Sequence, residues 1–120
     1  MTPQIRQKVK AEIKEILIHR ADIKKTITYG ELCNKIGSYQ LSPDDDDLHQ
    51  LLGEISKASR KAGKGLRSVF VVNKFSKMPG DGFFRLARDL GYSVDDYESF
   101  FNNHINSVHR NYKDPGILTV

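Results

Sequence analysis

A chain of 120 residues, 38% hydrophobic and 28% charged, falls among ordinary globular domains rather than disordered, fibrous or disulfide-stapled ones. It is long enough to close one core over residues 1–120 without a metal or cofactor, and its lone cysteine, Cys33, excludes an internal disulfide. With no apolar run near the roughly 20 residues of a membrane helix and no signal-peptide pattern, the expectation is a cytoplasmic protein.

In chain order, Ile5, Val9, Ile13, Ile16 and Leu17 recur at the spacing of one helical face, with Lys8, Lys10 and Lys14 mostly off it. With Pro3 suited to a first turn, this predicts an amphipathic helix over 3–19. Thr28 and Glu31 have the spacing of a capping box, which opens a short second helix carrying Leu32, Cys33 and Ile36 inward. That helix is expected to stop at Gly37, through a positive φ. Residues 38–47 read as a loop, since Ser42 and Pro43 precede four consecutive aspartates. Asp46 or Asp47 is expected to cap the next helix, and a divalent metal on the aspartates is the minor alternative.

The third helix shows a stripe of Leu48, Leu51, Leu52, Ile55, Ala58 and Ala62, ending at Gly63. Lys57, Arg60, Lys61, Lys64, Arg67, Lys74 and Lys77 then fall in one span without an acidic residue, so positive charge is concentrated well beyond what a net charge of +4 suggests. Residues 66–72 are the best strand candidate, with partners expected near 25–28 or 83–84. Residues 73–82 are turn-rich and read as a wing. A short helix over 83–90 closes at Gly91, and a last helix from 93 to 112 aligns Val94, Tyr97, Phe101, Ile105, Val108 and Tyr112. The tail from 114 to 120 reads as a loosely held end. The expected fold is mostly α with a small β element, a winged-helix-like single domain with a core over 26–92 and extra C-terminal helices.

The segments Ile27-Thr28-Tyr29-Gly30-Glu31-Leu32, Leu51-Leu52-Gly53-Glu54-Ile55 and Phe70-Val71-Val72-Asn73 together resemble the C-terminal domain of the methylated-DNA cysteine methyltransferases and their alkyltransferase-like relatives. The likeness spans about 26–92. It implies a winged-helix domain whose second helix enters the DNA minor groove, with a base-displacing residue at Gln50, beside His49. Alkyl transfer needs a thiolate, and no cysteine lies between Ser68 and Asn73, where the acceptor motif would fall. The motif's proline and basic residues are replaced as well, by Val69-Phe70-Val71-Val72. The stretches 65–68 and 79–84 are also similar to a recurring type of small bacterial protein, a likeness that brings no activity with it.

Three functional readings follow. The first is non-catalytic binding of nucleic acid, duplex DNA above all, with Tyr29 at a helix start, Arg60, Lys61, Lys64 and Arg67 on the backbone, Lys74 and Lys77 from the wing, and Gln50 with His49 nearest the base edges. The aspartates at 44–47 oppose phosphate at the start of the third helix unless their loop swings away. The second is a protein-interaction module, such as a small regulator, antitoxin or immunity-like protein, steered by adjoining acidic and basic patches. The third is an enzyme, for which the sequence offers no convergent constellation. His19, His49, His104 and His109 are scattered, while Glu54 and Ser56 would serve only if they faced a cleft around Tyr29 and Asn73.

Overall fold

A computed structural model describes residues 1–113; the tail expectation for 114–120 lies outside them. The described chain is mostly α-helical with one small parallel sheet, and its elements run α1 (Pro3–Ile23), β1 (Ile27–Thr28), α2 (Tyr29–Lys35), α3 (Asp46–Lys61), a 3-10 turn (Arg67–Phe70), β2 (Val71–Val72), α4 (Asp81–Asp89) and α5 (Tyr97–Lys113).

The first helix starts where expected, with Thr2 accepting the Ile5 N–H at 3.2 Å, but runs a turn past residue 19. Its extension brings Ala21 into the core, and it ends at Lys24, which takes φ 54°. The capping box of α2 is present in both halves: Glu31 N–H donates to the Thr28 hydroxyl and Thr28 N–H to the Glu31 carboxylate. The exit of α2 differs from expectation. Ile36 is extended and Gly37 keeps an ordinary φ, because the Gly37 N–H donates to Glu12 Oε1 on α1 at 2.7 Å. Hydrogen bonds from the Ser38 hydroxyl first, and then from the Gly37 amide, hold the Glu12 carboxyl below its usual range.

Asp46 and Asp47 are the first two residues inside α3, where they favour the helix dipole. The capping position belongs to Asp45, whose side chain turns back to accept the Ser42 N–H at 2.8 Å. On α3 the leucines and Ile55 are buried as expected, but Ala58 and Ala62 do not belong to the buried stripe, and Ser56 and Ser59 are buried instead.

Those serines explain why 66–72 is not one strand. The Ser59 hydroxyl accepts the Arg67 N–H and the Ser56 hydroxyl accepts the Ser68 N–H, while His104 Nε2 accepts the Leu66 N–H at 2.9 Å. Three successive backbone donors thus find side-chain acceptors inside the core. A 3-10 turn takes the place of a ladder, and only Val71 and Val72 pair, in parallel with Ile27 and Thr28. Of the two expected partners, the one near residue 27 is present, whereas Phe83 and Phe84 lie in α4.

Two apolar clusters result. Val9, Ile13 and Leu17 of α1 meet Leu32, Leu48, Leu51, Ile55 and Val71 in the first. In the second, Ala21 meets Leu66, Val69, Phe70, Phe84, Ile105 and Val108. The first helix spans both, so α1 packs on α3, on the 3-10 turn and on α5. The last helix begins at Tyr97 rather than 93, because Val94 is buried ahead of it and Asp96 accepts the Ser99 N–H at its first turn.

Candidate functional site

The tyrosine that opens α2 borders two adjoining recesses of the surface. Its hydroxyl accepts the Gly80 N–H at 3.0 Å, tying the start of α2 to the start of α4, and burial raises its pKa despite that bond. The ring lies 5.5 Å from that of His49, and His49 Nε2 is 2.9 Å from the Pro43 carbonyl, which fastens the aspartate loop to α3.

Around this pair lies a cleft of about 770 Å³ bordered by Asp44, Asp46 and Asp81, with Asn73, Lys74 and Arg85 also on its rim. It leads to a smaller recess of about 200 Å³ between α3 and α4, lined by Leu52, Gly53, Ser68, Phe83 and Leu86. Tyr29, His49, Gly82 and Phe83 border both. Gly53 sits within α3, and a Cβ there would meet nothing within 4 Å. Gly53→Ala is therefore expected to raise stability by about 0.5–1 kcal/mol, since alanine holds a helix better than glycine. A thermal melt checks this, and a lowered midpoint would contradict the open space.

Neither Glu54 nor Ser56 reaches this cleft. Glu54 lies toward α1, where Arg6 grips it with two nitrogens at 3.0 and 2.7 Å and Lys10 adds a third bond at 3.1 Å. The Arg6 hydrogen bonds chiefly hold its carboxyl at about 2. Ser56 is buried against Ser68, hydroxyl to hydroxyl at 2.6 Å. Two further histidines are structural, His104 buried in the second cluster and His109 Nδ1 at 2.7 Å from the Ala21 carbonyl. Cys33 is buried among Leu32, Ile36 and their neighbours, and desolvation raises its thiol pKa. Among the described residues, no three His, Cys, Asp or Glu side chains converge as a metal site.

The basic span of the sequence is divided by the fold. Lys57, Arg60 and Lys61 are exposed on the last turns of α3, and the Arg60 guanidinium lies 5.6 Å from the Tyr92 ring centre. Lys64 is partly engaged, donating to the Asn111 carbonyl near the end of α5 at 3.2 Å. Arg67, expected on the surface, is only 8% exposed. Its Nε donates to the Tyr112 hydroxyl and its guanidinium packs over that ring at 5.0 Å. The core of the 3-10 turn therefore claims it, and it is withdrawn from the set that could meet phosphate.

Lys74 and Lys77 are exposed on the loop after β2. That loop, expected as a wing, is no hairpin: Asn73 N–H donates to the Met78 carbonyl at 2.9 Å and Lys77 N–H to the Asn73 carbonyl at 3.0 Å. Since Lys74 shares the cleft with Asp46 and His49, it lies by the first turn of α3. Helical rise then separates it by roughly 20 Å from Arg60 and Lys61 at the other end. Gln50 is exposed on α3, one residue from His49.

Among the described residues the ion pairs are those of Glu54 with Arg6 and Lys10, so the exposed cations at both ends of α3 have no carboxylate partner there. Among the described residues no helix is long and apolar enough to cross a membrane. No family model, curated protein or solved structure matches the chain.

Proposed function

We propose that this chain is a non-catalytic DNA-binding protein, resting on duplex backbone at both ends of α3. The observation that carries this reading is the exposed cations Lys57, Arg60 and Lys61 at one end and Lys74 and Lys77 at the other, none paired with a carboxylate among the described residues. Unpaired surface cations displace the counterions condensed on phosphate, and that release supplies a large share of a protein's affinity for DNA. The two groups are roughly six base steps apart at the 3.4 Å spacing of phosphates along one strand.

The aspartates oppose the Lys74 end, whose cleft they share, but not the Arg60 end. Asp46 and Arg60 are on opposite ends of α3, separated by more than the screening length of about 8 Å at physiological salt. Gln50 is exposed on α3 close to the Lys74 end, with His49 beside it in the cleft. A second reading, a protein-interaction module, draws on the cleft, whose rim carries Asp44, Asp46 and Asp81 as well as Lys74 and Arg85 and so suits a partner of mixed charge.

Fluorescence anisotropy with labelled duplex and single-stranded DNA across salt tests the first reading. The comparison is with a Lys57→Glu, Lys61→Glu variant, which spares the packed Arg60 and the engaged Lys64. Salt-dependent binding is expected, weakened tenfold or more in the variant, with the slope of log affinity against log salt reduced by about two. No binding by the unaltered protein at low salt overturns the reading and leaves the protein partner.

A further inference from the structure

Phe75 is 90% exposed, against 41% for Ile23 and 40% for Tyr39, the other large hydrophobic side chains left in solvent among the described residues. It stands at the tip of the turn between Asn73 and Met78, where the Asn73 side-chain amide adds a bond to the Met78 carbonyl at 3.1 Å and Lys77 takes φ 62°. The backbone on either side of the ring is thus closed by its own hydrogen bonds, and the turn need not be ordered at the moment of contact. Lys74 and Lys77 flank it, and Lys74 Nζ lies 5.8 Å from the ring centre.

We infer that Phe75 is a stacking site for a nucleobase, with Lys74 and Lys77 on the adjoining phosphates. The inference deepens the DNA-binding proposal and rests on it. One ring between two cations matches the repeat of a nucleotide, a flat π face beside a charged backbone. A protein interface would call for a wider apolar patch around the ring, and stable membrane anchoring takes more than one insertion signal. The base presents its face either from a single strand, lying on the ring, or from a duplex step opened by the ring as an apolar wedge.

The sequence contains no tryptophan, so Phe75→Trp places a single reporter at the tip. Three proteins, unaltered, Phe75→Ala and Phe75→Trp, are titrated with single-stranded DNA, duplex DNA and anionic phospholipid vesicles. Phe75→Ala is expected to bind DNA about tenfold more weakly with an unchanged salt slope, because both lysines remain. Phe75→Trp is expected to keep the affinity and lose emission on saturation; the DNA form that quenches it identifies the source of the base. Equal affinity of Phe75→Ala and the unaltered protein, or an unquenched tryptophan at saturation, overturns the stacking site while the DNA reading stands. No DNA binding by the unaltered protein overturns both, and a blue shift confined to vesicles assigns the ring to lipid instead.

Discussion

Gly65→Ala is expected to lower the free energy of unfolding by about 2–4 kcal/mol, the sum of a left-handed backbone cost of about 1–2 and an overpacking cost of similar size. Gly65 takes φ +77°, and a Cβ built there would lie 2.9 Å from Val108 Cγ2 and 3.3 Å from His104 Nε2. Neither neighbour is free to yield. Val108 is fully buried, and His104 Nε2 is engaged by the Leu66 N–H. The glycine is held as well, since its carbonyl accepts the Ser59 hydroxyl at 2.6 Å. Gly63 supplies the comparison: it has φ +78° but nothing within 4 Å of its Cβ, so Gly63→Ala should cost only about 1 kcal/mol. Urea unfolding of both variants separates the two causes. Equal losses would show that α5 moves aside without cost.

Acidification from pH 7.5 to 5 is expected to remove about 2 kcal/mol of stability through His104 alone. The ring is 7% exposed, stacked on Phe100 at 5.1 Å and met edge-on by Tyr92 at 5.2 Å, and burial lowers its pKa from 6.5 to about 4. The neutral form is required because Nε2 serves as an acceptor. In the unfolded chain the imidazole takes its proton near pH 6.5, while the folded protein refuses it until about pH 4. The unfolded state thus binds more protons between these values. Stability is fully present above pH 6.5 and is lost progressively as pH falls toward 4. Urea midpoints at pH 7.5, 6 and 5 check this, and His104→Gln should show little slope across that interval. Persistence of the slope in that variant would place its origin elsewhere.

Much of the helical frame is legible from side-chain period. The stripe from Val9 to Leu17, the leucines of α3 and the run through Ile105 and Val108 are buried as their spacing implies, and the Thr28–Glu31 capping box forms as written. What escapes the sequence is long-range competition for backbone hydrogen bonds. The β-branched run through Val69, Val71 and Val72 reads as a strand, yet Ser56, Ser59 and His104, distant in the chain, take the amides that a strand would have offered a neighbour. Gly37 fails as a left-handed cap for a related reason, its amide being claimed by Glu12.

The candidate site is legible in composition more than in layout. Tyr29 and His49 do meet, but the acid-free span from Lys57 to Lys77 does not form one surface. Arg67 is drawn inward by Tyr112, Lys64 is tied to α5, and the rest divide between the ends of α3. The local sequence separates Phe75, in a turn between Lys74 and Ser76, from Phe70, in the apolar run of Val69 to Val72. What it does not show is that the turn from Asn73 to Met78 closes and leaves the Phe75 ring in solvent.

The packing of α1 on α5 bears on synthesis. Ala21, made early, shares the second cluster with Ile105 and Val108, and its carbonyl meets His109. A nascent chain that has emerged only through α4 can gather the first cluster around Val9, Leu32 and Leu48, because every buried member of it lies before residue 72. It still lacks the imidazole acceptor for Leu66 and the cover over Phe84. While α5 is inside the ribosome, the emerged chain is half assembled, and a helix made later locks down α1.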